Sequence, residues 1–360
     1  MTFSVGRIST MQFSQFNRQF VSRATIDLQR AGQEVATGRK ADIFADLGPR
    51  AASTLTLRAR EDDTQAYKKA NGILENKLQA MMTSLDAVRE SVDSVFQSAL
   101  VNVARPVNGA STLQMQARAS LEVVIATMNI SFDGDALFSG TASDRPPLTR
   151  WSEVNPDTGL SPEAVLQSIV TSPPATAAEA QAMIDDINAV FDSAYATDPN
   201  ANFEATFYNG TPELDGSGQP ENRVSARIEA GLALDYGVQA NDQPFRDMLK
   251  GLAMLAVTDV SKITDEAAYG TWMAEVTQTL SVGTQGALNA SATTGFNQQV
   301  VSTAQKRLDA LSLVQQMQIA NYETVDPYEA VTRMTNLETQ LRASYEVTAR
   351  LSGLTILNFL

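Results

Sequence analysis

Between Leu74 and Ala99 the apolar residues recur at alternating steps of four and three without a skip: Leu74, Leu78, Met81, Leu85, Val88, Val92, Val95 and Ala99. A repeat sustained over more than three heptads commits the segment to an α-helix with one buried seam, and a seam of that length needs other helices to cover it. The region has to be part of a helical bundle. The pattern predicts one helix over Thr64 to Val103 and a shorter one before it, Ala51 to Arg60. Arg105-Pro106-Val107-Asn108-Gly109 turns the chain, and a returning helix starts at Thr112 with Leu113, Ala117, Leu121, Val124 and Met128 inward.

Both ends of the chain carry a similar pattern. Asp326-Pro327-Tyr328-Glu329 reads as a helix start, with Asp accepting from free N–H groups, Pro at the first position and Glu329 placed for a capping box. Ala330, Met334, Leu337 and Leu341 follow, and Tyr345, Thr348, Leu351 and Leu354 continue the stripe less regularly. At the other end Ser9 or Thr10 can cap, Phe13, Phe16 and Phe20 form an aromatic edge, and Val21, Ala24, Leu28, Ala31 and Val35 form a seam. Gly38 stands where a C-cap belongs, and a loop is expected from Ala41 to Pro49. The two terminal helices are expected to pair. The segment Leu354 to Leu360 holds no charged side chain, which predicts burial between subunits and an assembly protein. The expected assembly surface is Phe13, Phe16, Phe20, Val21, Leu28, Val35, Met334, Leu337, Leu341, Leu351, Leu354, Leu357, Phe359 and Leu360.

Composition narrows the chemistry. There is no Cys and no His among the 360 residues, which excludes disulfides, thiolate metal sites and the usual Ser/His/Asp triad. The net charge of −14 opposes nucleic-acid binding. No stretch approaches the roughly 20 apolar residues of a membrane helix. Residues 1–23 lack the apolar core and cleavage site of a secretory leader, so export, where it occurs, is expected without cleavage. Glycine-rich phosphate loops are absent. Asp133-Gly134-Asp135 and Asp215-Gly216-Ser217-Gly218 lack the twelfth-position Glu of a calcium loop and are read as turns. Glu61-Asp62-Asp63 and Asp185-Asp186 are read as solvated helix faces. No catalytic, cofactor-binding or metal residue is assigned, and no enzyme is expected.

Residues 141–250 are a different material, with ten of the 13 prolines and 17 Asp/Glu against 6 Arg/Lys. Helices are expected over Pro162 to Val170 and Ala175 to Tyr195, and strands over Phe203 to Tyr208 and Arg223 to Ile228. Helix resumes over Phe245 to Val257, Ile263 to Leu280 and Ala287 to Tyr322, the last with Val301, Ala304, Leu308 and Leu311 inward and then Gln315 and Gln318 as polar seam positions. The expected fold is mainly α: a long antiparallel bundle or coiled coil of N- and C-terminal regions with an inserted small α+β domain. Residues 1–42 with 325–360 form the terminal assembly domain, 43–140 with 251–324 the bundle, and 141–250 the insert.

Several of these segments resemble one family. Ile8-Ser9-Thr10, Gly32 through Lys40 and Ala51-Ala52-Ser53 resemble the N-terminal region of the flagellin superfamily, and Phe132 through Gly140 is similar to the turn at the far end of its helical core. Leu351 through Leu360 is most similar to the hook–filament junction branch of that superfamily. Phe44 through Arg50 departs from the family's Ser-Asp-Asp-Pro-like run: Pro49 is kept and the acidic pair is not. The resemblance covers residues 1–141 and 245–360. It implies an extracellular flagellar subunit, exported through the flagellar export apparatus with an export chaperone. That subunit would form a ring with copies of itself between a neighbouring hook-associated protein and flagellin, with no nucleic-acid or membrane partner. Flagellin itself and a secreted helical effector or enzyme are the alternatives.

Overall fold

The computed structural model describes residues 10–104 and 110–357, with the backbone alone for 10–14, 111 and 351–357. The helices are α1 (Thr10–Thr37), α2 (Ile43–Leu47), α3 (Ala51–Val101), α4 (Ser111–Met128), α5 (Pro162–Ile169), α6 (Ala177–Phe191), α7 (Gln243–Val257), α8 (Glu266–Glu323) and α9 (Pro327–Leu357). Two short antiparallel hairpins complete the fold: β1 (Ser131–Phe132) with β2 (Asp135–Ala136), and β3 (Ser225–Glu229) with β4 (Leu232–Asp235). The protein is mainly α with a small α+β insert. The chain divides into two compact units, Met1–Ala66 with Leu308–Leu360, and Tyr67–Arg307. Helices α3 and α8 contribute residues to both. No helix among the described residues is long and apolar enough to cross a membrane.

The second unit is built around the four-three seam of α3, whose eight residues from Leu74 to Ala99 are all buried. Helix α4 returns along it with Leu113, Ala117, Leu121, Val124 and Met128 buried, and Ser120 Oγ donates to Ser91 O at 3.0 Å across the pair. The turn after α4 is a two-residue hairpin loop in which Asp133 (φ 54°) and Gly134 (φ 93°) both take the left-handed conformation that such tight loops require.

Helix α7 is the centre of this unit. Eleven of its 15 residues are buried, Phe245 through Leu249 and Gly251 through Ala256 among them, so other elements must cover every face. Helices α4, α5 and α6 pack against it. Helix α8 crosses it at glycine: a Cβ on Gly283 would stand 2.7 Å from Met248 Cγ and 2.8 Å from Pro244 O. The sequence reading broke α8 near this point, into Ile263 to Leu280 and Ala287 to Tyr322. In the structure the glycines sit inside one 58-residue helix, because close packing there outweighs their poor intrinsic propensity. Likewise 51–60 and 64–103 are one helix, α3.

Helices α5 and α6 of the insert are both capped. Ser161 Oγ accepts from Ala164 N at 3.1 Å ahead of Pro162 in α5. Thr176 Oγ1 accepts from Glu179 N at 3.2 Å, while Glu179 Oε2 reaches back to Ala175 N at 2.9 Å. The strand expected over Phe203 to Tyr208 is instead a π-helical turn, Phe203–Phe207. The rings of Phe203 and Phe207 lie 5.5 Å apart and both meet Phe191, at 5.5 and 5.3 Å. An extended chain would separate their backbones by about 13 Å. The second expected strand forms as β3, shifted by two residues at its start. Asp215 is a turn residue as read: its Oδ1 accepts from Ser217 N, Ser217 Oγ and Gln219 N, and these bonds hold its carboxyl below the usual range. Asp185 and Asp186 are exposed.

The α6–α7 contact buries charge. Arg246 donates to Phe191 O at 3.3 Å, Gln243 Oε1 at 2.7 Å and Glu213 Oε2 at 3.1 Å, and Lys250 joins Asn188 Oδ1 at 2.6 Å to Glu275 at 3.2 Å. Asp247 accepts from Gln243 Nε2 at 3.0 Å, but burial dominates and raises its pKa above the ordinary carboxylate value.

Two measurements check this packing. Gly283→Ala is expected to lower stability by about 1–3 kcal/mol through overpacking, whereas Gly270→Ala, in the same helix with nothing within 4 Å of its added carbon, should raise it by about 0.5–1 kcal/mol; thermal melts of the two variants decide. A carboxyl whose folded pKa is raised contributes stability only while protonated, and loses it as pH rises through the folded value. Asp247→Asn is therefore expected to raise Tm at pH 7, with the gain shrinking as pH falls to about 4. A gain independent of pH would assign the effect to packing instead.

Candidate functional site

Within the first unit α1 packs antiparallel to α9. Asn17 bonds Thr348 near one end of the contact, and Glu34 pairs with Arg333 at 3.1 Å near the other. Ala24, Ala31, Ala330 and Leu341 are buried, while Val21, Leu28, Met334 and Leu337 are half-buried. On α1 the seam steps from Ala31 by three to Glu34 rather than by four to Val35. Val35 consequently stands 38% exposed and Glu34 only 4%. Tyr345, read as part of the α9 seam, is also turned outward.

Of the residues expected on the assembly surface, Val21, Leu28, Met334, Leu337 and Leu341 thus lie along the α1–α9 contact. Phe16 is 70% exposed, and Phe20 (40%) and Val35 lie at the margin of the contact. The side chains of Phe13, Leu351, Leu354 and Leu357 lie outside the described residues, although their backbones are helical, and Phe359 and Leu360 lie outside them altogether. Further apolar residues that the sequence reading left out stand exposed on the same helices: Ile26, Tyr328, Val331 and Val347.

A polar joint stands where these helices meet the ends of α3 and α8. Helix α1 ends at Thr37, and Gly38 takes φ +68° to turn the chain. The next residues pair antiparallel with the end of α8: Lys40 N donates to Glu323 O at 2.8 Å and Val325 N to Gly38 O at 3.0 Å. Glu323 is 1% exposed and receives Arg58 through both carboxylate oxygens at 2.7 Å. Buried Glu34 takes the N–H of Ala41 at 3.3 Å as well as Arg333. Asp326 Oδ1 accepts from Tyr328 N at 2.8 Å, as a cap should. Glu329, placed by the sequence for a capping box, turns forward to Arg333 at 3.0 Å instead, where a formal charge is available. The loop expected from Ala41 to Pro49 contains α2, capped by Asp42 on Ala45 N at 3.0 Å, followed by a 3-10 turn through Pro49.

Along α3 and α8 the polar layer continues. Thr64 Oγ1 donates to Gln315 Oε1 at 3.1 Å. Glu61 Oε1 accepts from Gln65 at 2.8 Å, Ser312 at 2.7 Å and Gln316 at 2.7 Å, so Glu61 turns inward where a wholly solvated face was expected. Gln315 is a buried seam position as read, but Leu311 and Gln318 are exposed and Ser312 is buried in their place. Two consecutive steps of four, Ala304 to Leu308 to Ser312, shift the seam; such spacing follows a straighter helix than a strict heptad does. The charged residues of the joint were missed by apolar patterning. The available signal was a glutamate at seam spacing, three residues after Ala31.

Among the described residues no cluster of three or more acidic side chains is placed to hold a metal ion. The site is a packing surface with an ionic joint, and its capacity is for holding helices together.

Comparison with known proteins supports that view. Residues 8–143 match the bacterial flagellin N-terminal helical region, and residues 284–360 match the bacterial flagellin C-terminal helical region. A solved structure described as a flagellar hook-associated protein of Vibrio parahaemolyticus superposes with a TM-score of 0.52 at 12% identity, covering 77% of this chain and 99% of its own. At that identity the likeness is one of fold. A comparison with curated proteins gives no significant match. The two flagellin regions together take up more than half of the chain and carry both helices of the α1–α9 pair, and the protein belongs to the flagellin superfamily.

Proposed function

We propose that the chain is a structural subunit of the bacterial flagellum that polymerises through its terminal helices and serves as the adaptor ring between the hook side and the flagellin filament. It works outside the cell, after passage through the flagellar export apparatus with an export chaperone. Its partners are copies of itself, a neighbouring hook-associated protein and flagellin. Residues 1–42 with 325–360 are the assembly domain, 43–140 with 251–324 the body, and 141–250 the variable outer part.

One observation carries the assembly reading. Along the contact between α1 and α9 only Ala24, Ala31, Ala330 and Leu341 are fully buried among the apolar residues, Val21, Leu28, Met334 and Leu337 stay half-buried, and Phe16, Phe20, Ile26, Tyr345 and Val347 stand exposed. Apolar area is the main source of helix-pairing stability, at about 25 cal/mol per Å². A pair that leaves this much apolar area uncovered is built to be completed by other helices. The junction role in particular rests on the similarity of Leu351 through Leu360 to that branch of the superfamily. A filament-forming flagellin would use the same terminal helices, and it differs in continuing to polymerise where a junction subunit stops at a ring.

The double variant Phe16→Ser/Phe20→Ser is expected to keep the helical circular dichroism of the monomer. Its self-association, measured by sedimentation, should weaken by tenfold or more, since full burial of one Phe contributes about 1.5–3 kcal/mol. Unchanged self-association would remove these residues from the interface. Cells lacking the protein are expected, by electron microscopy, to carry hooks without filaments and to shed flagellin into the medium; filaments of normal length on such cells would exclude the junction role.

A further inference from the structure

The α1–α9 pair has a problem of register. Its fully buried apolar positions, Ala24, Ala31, Ala330 and Leu341, are mostly alanine. Sliding one helix past the other by a heptad exchanges Ala24 for Ala31 and Val21 for Leu28 on α1, and Met334 for Leu341 on α9, so burial alone discriminates weakly between alignments. Chain continuity does not help either. Helix α1 is cut off from α3 by the turn at Gly38 and the segment after it, and α9 from α8 by Thr324 through Asp326, so no unbroken helix carries an alignment into the pair.

A buried carboxylate discriminates strongly, because leaving it without a cation is far more costly than losing an apolar contact. Glu34 is 4% exposed and has two partners, Arg333 from α9 and the N–H of Ala41 from the segment after α1. A slip by one heptad would bring either Gln340 or Asp326 to the place of Arg333. Neither offers a positive charge, and one would add a second negative charge. Several other charged groups at this end are already engaged: Arg30 lies 3.5 Å from Asp42, Arg58 holds Glu323, and Glu329 shares Arg333.

We propose that Glu34 is the register key of the terminal helix pair, admitting the one alignment in which Arg333 of α9 meets it, with the Lys40–Glu323 and Val325–Gly38 backbone bonds anchoring the end from which that alignment is measured. The large outward residues of α1 and α9 then share one defined surface, which is what any copy-to-copy packing of these helices requires.

The absence of native cysteine makes disulfide trapping unambiguous. In the full-length chain, Asn17→Cys/Thr348→Cys reports the native alignment, because these side chains bond each other. Asn17→Cys/Leu341→Cys and Ala24→Cys/Thr348→Cys report slips of one heptad in either direction. With Glu34 intact, the first pair should oxidise quickly and the other two at least tenfold more slowly. Adding Glu34→Gln, which keeps the shape and removes the charge, should slow the native pair fivefold or more and speed at least one slipped pair, with helical circular dichroism retained. Arg333→Met should do the same, and Glu346→Gln, in an exposed pair with Arg350, should change none of the rates. The proposal is overturned if the native pair fails to form with Glu34 intact, or if Glu34→Gln leaves all three rates unchanged. It is also overturned if the native rate falls with no slipped product, which would mean that the helices part rather than slide and that Glu34 only holds the fold together.

Discussion

The burial of α7 on every side is the constraint to which the second unit answers. A helix that exposes almost nothing cannot be served by a single partner, and here its cover comes from sequence-distant places: α4 from the N-terminal region, α5 and α6 from the insert, α8 from the C-terminal region. The glycines of α8 follow from the same demand, since a side chain at Gly283 would collide with Met248 and Pro244. So does the buried charge of Arg246 and Lys250, which an all-round buried helix must tie to carbonyls, amides and carboxylates of its neighbours. The insert is therefore unequal along its length. Helices α5 and α6 cover α7 and are bound by its shape, whereas the exposed hairpin closed by Leu214 and Pro220 is shaped mainly by its own Asp215 turn. Variation is free in the second place and restricted in the first.

Much of this was legible because apolar periodicity is a strong signal in long helices. All eight α3 positions named from spacing are buried, as are the five of α4. The Asp-Gly turn and the caps at Asp326 and Gly38 are also where residue chemistry places them. What was hidden depends on tertiary partners. Phe203 and Phe207 have the composition of a strand, and only the presence of Phe191 makes a tight helical turn the better way to bury both rings. Gly283 and Gly286 resemble a helix break until Pro244 is found against them. The joint was the least legible part. A seam search counts apolar residues, so it passes over Glu34 to Val35, although the glutamate is the buried one.

The same joint explains how a seam whose fully buried positions are mostly alanine is tolerable. Hydrophobic contact is non-directional and scales with area, so small residues give weak adhesion and weak alignment together. Ion pairs between buried carboxylates and arginines add little net stability, since desolvation opposes the Coulomb attraction, yet they penalise misalignment heavily. Glu34 with Arg333 and Glu323 with Arg58 thus supply specificity at positions where alanine cannot. On the proposed reading adhesion would fall to Phe16 and Phe20, which stand 70% and 40% exposed.

Charge is divided between the units in a way that suits this arrangement. The first unit holds 12 Lys/Arg against 13 Asp/Glu, and the second 15 against 28. A surface meant to pack against copies of itself meets its own charge in every copy, so a large net charge there would oppose association at each added subunit. Near-neutrality removes that opposition from the unit with the outward apolar helices. The second unit faces no such demand, and its acidity keeps copies from adhering through the wrong surface. The partition thus works in the same direction as the joint. In the proposed assembly, charge would steer contact to the terminal helices, and the buried carboxylate would fix how those two helices are aligned when contact is made.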